Sequence, residues 1–201
     1  MVGIAPAAAT DRLVNIVALG DSLTAGYGLP ANGAFPVKLQ HALAAKGLGV
    51  QIANAGVSGD TASGGLARLA FSVPDGTDAV ILELGANDAL RGVEPQVTRN
   101  ALDGILSRLK ERKIPVLLCG MLAPPNMGAE YGRAFDDIYP DLAAHYGAIL
   151  YPFFLTGVAA DPKLNQRDGL HPTAAGVDMI VEKILPQVEE LVARARAADR
   201  P

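Results

Sequence analysis

In Val14-Asn15-Ile16-Val17-Ala18-Leu19-Gly20-Asp21-Ser22-Leu23-Thr24, a run rich in β-branched and aliphatic residues meets a glycine and then a polar turn. Near-continuous apolar character over so short a run suits a strand covered on both faces, as in a parallel sheet. Gly20 ends the strand, and Asp21 and Ser22 open a turn. The pattern recurs along the chain: further strands are expected at residues 50–54, 79–84, 114–121 and 148–151. Between them lie stretches with apolar residues at helical spacing, residues 35–46, 61–71, 95–113 and 134–146, and a last helix over 173–197. In the 95–113 stretch the apolar face reads Val97, Leu102, Ile105, Leu106 and Leu109. Pro36 falls early in its helix, where proline is tolerated, whereas Pro186 should interrupt or kink the last one. Strands alternating with helices of ten or more residues predict an α/β protein. With right-handed crossovers the architecture is a three-layer α/β/α sandwich around a five-stranded parallel sheet.

Composition narrows the function classes. A length of 201 residues fits one domain, and the reading is an N-terminal tail over residues 1–12 and a single domain over 13–201. With 50% hydrophobic and 19% charged residues the chain is not a disordered one. A net charge of −4 gives no electrostatic footprint for nucleic acid or an anionic membrane. No apolar run reaches the ~18 residues of a membrane span. The single cysteine, Cys119, lies in an apolar strand and reads as a small core side chain, with no partner for a disulfide or a zinc site. At the N-terminus, Ala7-Ala8-Ala9 has the small-residue character of a trimmed export signal, although the basic and long apolar regions of such a signal are missing. An ordinary tail fits the same residues.

In parallel sheets the site lies beyond the carboxyl ends of the strands. The segments there are Gly20-Asp21-Ser22-Leu23, then Asn54-Ala55-Gly56-Val57-Ser58-Gly59-Asp60, then Gly85-Ala86-Asn87-Asp88, and finally Asp168-Gly169-Leu170-His171-Pro172. Together they offer a hydroxyl, free backbone N–H groups, a carboxamide, a carboxylate and an imidazole, the parts that nucleophilic acyl transfer needs. A serine hydroxyl requires a base, imidazole is suited to that task, and a carboxylate fixes the imidazole's tautomer. Three residues apart in one turn, Asp168 can reach back to His171. Negative charge developing on a carbonyl oxygen needs aimed donors, and the backbone N–H groups of Ser22 and Gly59 and the side-chain NH₂ of Asn87 fit that demand.

These four blocks, in this order, resemble the SGNH, or GDSL, hydrolase family, whose name gives its four residues: here Ser22, Gly59, Asn87 and His171. The likeness extends over roughly residues 14–190. It is closest to the bacterial arylesterases and the multifunctional thioesterase/lysophospholipases, through Asn54-Ala55-x-x-Ser58-Gly59-Asp60-Thr61, Gly85-Ala86-Asn87-Asp88-x-Leu90-Arg91-Gly92 and Ile138-Tyr139-Pro140-x-Leu142. The resemblance implies a flavodoxin-like sheet, with Ser22 as nucleophile, His171 as base, Asp168 as its orienter, and Ser22, Gly59 and Asn87 as the oxyanion hole. It implies hydrolysis of small-molecule esters, aryl or short-to-medium acyl, with thioesters and lysophospholipids as variants, through an acyl-enzyme and without metal or cofactor. It also implies a periplasmic or secreted protein, the alternative being a cytoplasmic one.

Other readings compete residue by residue. Ser22 alone could be a helix N-cap, and Asn87-Asp88 a turn pair. His41 and His145 lack ligand-spaced partners and read as surface or interface residues; Ser58 and Ser63 read as turn or cap residues, and Arg91 as a surface or helix-start residue, with a lip of the substrate pocket as the alternative. Glu83 falls inside a buried strand and must be paired with a cation or a backbone donor. Gly26-Tyr27-Gly28-Leu29-Pro30-Ala31 matches a dinucleotide fingerprint, but Pro30 stands where the helix should begin and the second strand ends in Asn54 rather than an acid. A nicotinamide enzyme is therefore disfavoured. A non-hydrolytic binding module on the same scaffold has no need of an oxyanion donor. Thr24 replaces the second glycine of G-x-S-x-G, which argues against the larger α/β-hydrolase fold. The segments 121–128 and 155–166 are expected to shape the pocket.

Overall fold

Strand β1 (Val14–Gly20) takes the interior of the sheet, with six of its seven residues buried. In the computed structural model, which describes residues 12–198, β1 pairs in parallel with β2 (Val50–Gly56) on one side and β3 (Ala79–Glu83) on the other. The export-signal reading of residues 7–9 lies outside the described residues. Strands β4 (Val116–Cys119) and β5 (Ile149–Tyr151) complete an all-parallel sheet in the order β2-β1-β3-β4-β5. Every residue of β3 and β4 is buried, as their unbroken apolar character requires.

The five strands end level. Gly20 is in register with both Gly56 and Glu83, Glu83 with Cys119, and Cys119 with Tyr151. All the loops that follow therefore leave from one rim. The chain moves outward from β1 to β2 and then crosses to the other side of β1 for β3. With right-handed crossovers that reversal puts the connecting helices on opposite faces and opens a crevice between the ends of β1 and β3. Helices α2 (Phe35–Ala45) and α9 (Ala174–Ala197) pack together on one face, and α3 (Ala62–Ala67), α6 (Pro95–Glu111) and α8 (Ile138–Tyr146) on the other.

Several elements depart from expectation. The single helix expected over residues 61–71 is two, α3 and α4 (Leu69–Ser72), broken at Arg68. The one expected over 134–146 begins earlier and is also two, α7 (Ala129–Asp136) and α8. Pro140 has no N–H to return to the Asp136 carbonyl, which favours a break there. Helix α9 runs uninterrupted through Pro186. Pro186 and Glu182 are both exposed, so the carbonyl that proline leaves without a donor can face water. Val97, expected on the apolar stripe of α6, is exposed. The short helices α1 (Ser22–Ala25) and α5 (Ala86–Leu90) have no periodicity to announce them.

Candidate active site

The turn after β1 presents Ser22. Asp21, not Ser22, caps α1: its Oδ1 accepts from the Leu23 N–H at 2.9 Å. That leaves the Ser22 hydroxyl free of the capping role. Gly20 is required by close approach, since a Cβ there would stand 2.1 Å from Thr24 Oγ1 and 2.6 Å from Glu83 Oε2. The turn after β3 presents Asn87, and it starts at Gly85, whose φ of +117° and closeness to the Tyr139 hydroxyl both exclude a side chain.

His171 arrives from the loop before α9. Its Nε2 lies 2.9 Å from Ser22 Oγ and its Nδ1 2.7 Å from Asp168 Oδ2. The other carboxylate oxygen of Asp168 accepts from the backbone N–H groups of Leu170 and His171 at 2.9 and 3.0 Å. These bonds, the backbone donors first, pull the Asp168 carboxyl down to about 2. The loop itself is tied to the nucleophile side of the site. Gln166 Nε2 donates to the carbonyls of Tyr27 and Pro172 at 2.8 and 3.0 Å, and the Tyr27 ring lies on the imidazole at a centroid distance of 4.5 Å.

The oxyanion candidates are placed differently from one another. Asn87 lines the same cavity as Ser22, and its Nδ2 donates to Asp21 Oδ2 at 3.0 Å, which leaves one amide N–H for another acceptor. Gly59 stands on the exposed loop after β2, outside the cavity lining, where Arg91 Nη2 donates to its carbonyl at 2.8 Å. Arg68 knits the two turns together. It donates from Nη2 to the Gly20 carbonyl and from Nη1 to the Ala55 carbonyl, both at 2.9 Å, and from Nε to Asp60 Oδ2 at 2.7 Å. Asp88 is fully buried, and joins α5 to α3 and α6 by accepting from the Ala62 N–H and the Thr98 hydroxyl.

Beneath the nucleophile lies a pair of buried carboxyls. Glu83 Oε2 accepts from the Thr24 hydroxyl at 2.7 Å and from the Asp21 N–H at 3.3 Å, so its partner is a hydroxyl and a backbone donor rather than a cation. Glu83 Oε1 has no hydrogen-bond partner among the described residues. Burial, and then the nearby charge of Asp21, push the Glu83 carboxyl well above the usual range. Burial likewise pushes Asp21 up to about 6.

Above Ser22 opens an apolar cavity of about 460 Å³. Leu23, Leu90 and Phe153 contribute to its walls, with Met121, Leu122 and Pro124 from the 121–128 segment and Leu155, Ala159 and Ala160 from the 155–166 segment. Such a volume lies within the range of small-molecule sites. Among the described residues no group of three or more His, Cys, Asp or Glu could hold a metal ion. Gly26 ends α1 in a left-handed conformation, and only a single short turn (Ala31–Gly33) follows Pro30 before α2 begins at Phe35, so the Gly26-x-Gly28 stretch does not open directly into the helix of a dinucleotide site. His41, His145, Ser58, Ser63 and Arg91 are exposed.

A family model described as GDSL-like Lipase/Acylhydrolase matches residues 18–179. The chain belongs to the GDSL-like lipase/acylhydrolase family. As a member it is a serine-type ester hydrolase. It is similar to "Arylesterase" of Vibrio mimicus, 40% identical over 182 residues that cover 90% of this chain and 91% of that one. It is 39% identical over 187 residues to "Thioesterase 1/protease 1/lysophospholipase L1" of Escherichia coli K12, covering 92% of this chain and 87% of that one. Among solved structures, AlinE4, a SGNH-hydrolase family esterase, superposes with a TM-score of 0.76 at 50% identity, covering 89% of this chain and 96% of that one. For a GDSL-type chain, the four motif blocks were the legible part of the site. The Arg68 hub, the Tyr27 ring contact and the partners of Glu83 depend on contacts between distant segments and carry no local signal, whereas the Asp21 cap is a local contact that the sequence reading missed.

Proposed function

We propose that Ser22, His171 and Asp168 form the catalytic triad of this esterase, with the backbone N–H groups of Ser22 and Gly59 and the Asn87 amide as oxyanion donors. The observation that carries this reading is the Ser22–His171–Asp168 chain of contacts at 2.9 and 2.7 Å, with Ser22 and His171 lining the apolar cavity. Ser22 Oγ attacks the ester carbonyl carbon while its proton passes to His171 Nε2. Asp168 holds the other ring nitrogen and stabilises the imidazolium. The negative charge on the former carbonyl oxygen is met by the oxyanion donors. As the tetrahedral intermediate collapses, the bond to the leaving oxygen or sulfur breaks and that group takes the proton from His171. Water, deprotonated by the same nitrogen, then releases the acid and regenerates Ser22.

The substrates in this proposal are small esters with an aryl or short-to-medium acyl part, the acyl chain lying among Leu23, Leu90 and Phe153. Thioesters and lysophospholipids are variants supported by the names of the relatives. No helix among the described residues is long and apolar enough to cross a membrane. The proposal further places the protein in the periplasm or outside the cell, by resemblance to a branch with many exported members; fractionation of the natural host tests that. For the chemistry, hydrolysis of p-nitrophenyl esters of increasing chain length is compared between the wild type and Ser22→Ala. The expected loss in kcat is about 10⁴-fold or more. Activity surviving in a folded Ser22→Ala variant overturns the assignment.

A further inference from the structure

An amide side chain can face a reacting carbonyl with either its N–H or its oxygen, and only the first stabilises an oxyanion. Nothing in Asn87 itself selects the useful orientation. Its neighbour does: Asp21 Oδ2 accepts from Asn87 Nδ2 at 3.0 Å, so the nitrogen end is identified by a carboxylate that cannot donate when ionised. Asp21 is completely buried and its other oxygen is occupied by the Leu23 N–H. Behind it stands Glu83, also completely buried, whose Oε2 accepts from the backbone N–H of Asp21 and from the hydroxyl of Thr24. Glu83 sits at the last position of β3 and is paired in register with Gly20, so the strand itself fixes its distance from the nucleophile turn.

From this geometry we propose that Glu83 is a positioning residue for ester hydrolysis: it seats Asp21 so that Asp21 holds the Asn87 amide with an N–H aimed at the oxyanion. The inference rests on the proposed role of Asn87 as an oxyanion donor. Two buried carboxyls with no cation between them cannot both carry charge cheaply. Glu83, with an oxygen left without a partner and a second carboxyl facing it, is the one that keeps a proton. Asp21 receives two N–H donors and has His171 nearby, so it carries the charge. The arrangement thus divides two acids into a neutral support and an anionic acceptor. Thr24, the residue that departs from G-x-S-x-G, supplies the hydroxyl that fastens the support.

The test is a double-mutant cycle read as kcat and KM on one p-nitrophenyl ester, using Glu83→Leu, Asn87→Ala and the pair. Asn87→Ala is expected to lower kcat about 10²–10³-fold, the usual loss for one oxyanion donor. Glu83→Leu is expected to lower kcat at least about tenfold with little change in KM, because the loss falls on a contact made in the transition state. In the Asn87→Ala background the same Glu83→Leu substitution should cost less than about twofold. Glu83→Gln, which keeps the shape and an acceptor oxygen, should recover most of the loss; it also serves if Glu83→Leu fails to fold. A cost for Glu83→Leu that is equal in both backgrounds, or a Glu83→Gln variant as impaired as Glu83→Leu, overturns the positioning role while leaving Asn87 in place. An Asn87→Ala variant with unchanged kcat instead overturns the oxyanion reading and this inference with it.

Discussion

Asp168 combines exposure with a strongly held charge. Its side chain is 37% exposed, yet its two oxygens accept from two backbone N–H groups and the imidazole. Those donors favour the ionised form and hold the carboxyl at about 2, below the ordinary 3.8. A depressed folded-state value means that the associated stability is present above about 4 and lost as the pH falls through about 2. Asp168 should therefore stay ionised across the whole neutral range, and a carboxyl carbon-13 NMR titration should show no Asp168 inflection above pH 3.5. Because water reaches this carboxylate, Asp168→Ala should cost less than loss of the serine or histidine, about 10²–10³-fold in kcat. A loss as large as that of Ser22→Ala would contradict the orienting role. Tyr27 acts on the other side of the same ring. Its ring, tilted at 39° with its centroid 4.5 Å from that of the imidazole, braces the imidazole in the orientation that faces Ser22. With an aromatic contact worth about 0.5–1 kcal/mol, Tyr27→Ala should lower kcat about two- to fivefold, with Tyr27→Phe retaining more of it than Tyr27→Ala; equal losses in both would assign the effect to the hydroxyl instead.

At the scale of elements, the rim is held by side chains that reach between loops. Arg68, at the break between α3 and α4, ties the end of β1 to the end of β2 and to Asp60, with its side chain only 20% exposed. Arg68→Met keeps the apolar stem but removes a charged donor from two carbonyls and a carboxylate, of which the Gly20 carbonyl and Asp60 keep one backbone donor each, from Val57 and Thr61. Hydrogen bonds from a charged group are each worth about 1.5–3 kcal/mol at such sites, and water replaces part of them, so a net loss of about 2–3 kcal/mol is expected in urea unfolding. A loss under 0.5 kcal/mol would show that water substitutes fully. This hub explains what the sequence could and could not convey. The five strands and the long helices were legible because burial on a sheet or stripe leaves a period, as in Leu102, Ile105, Leu106 and Leu109. Ser22, Asn87 and His171 were legible because each directly follows a strand or a short recognisable turn. Arg68, Tyr27 and Gln166 were not, since the contacts that give them their roles reach across the chain, from Arg68 to Gly20, from Gln166 to Tyr27 and from Tyr27 to His171. The helix break at Arg68 was hidden for the same reason, since long-range contacts outweigh local periodicity there, whereas the break at Asp137 had a local sign in Pro140.

For the whole molecule, placing two acids in the centre of the fold ties stability to pH in a direction opposite to that of ordinary surface carboxylates. Asp21 is pushed up to about 6 from 3.8, first by burial, and Glu83 is pushed well above its ordinary range by burial and then by Asp21. A raised folded-state value means the protonated form is favoured by folding. The contribution is therefore complete below about 4, where the unfolded chain is also protonated, and is lost as the pH rises through about 6. Other carboxylates of the chain, Asp168 among them, change stability at lower pH and with the opposite sign. Comparison with a variant removes them, because they are common to both proteins. Calorimetric Tm values measured every half unit from pH 4.5 to 7.5 should show the wild type losing stability relative to Asp21→Asn as the pH rises, with the divergence growing up to about 6 and levelling off above it. On the proposed oxyanion role of Asn87, activity takes the opposite course, since the Asp21 anion accepts from the Asn87 amide. The enzyme would thus gain its oriented oxyanion donor around pH 6, where the loss of fold stability reaches its end. Parallel Tm curves for the two proteins would mean that Asp21 is already ionised at pH 4.5, and that the buried pair exerts no opposing demand on fold and catalysis.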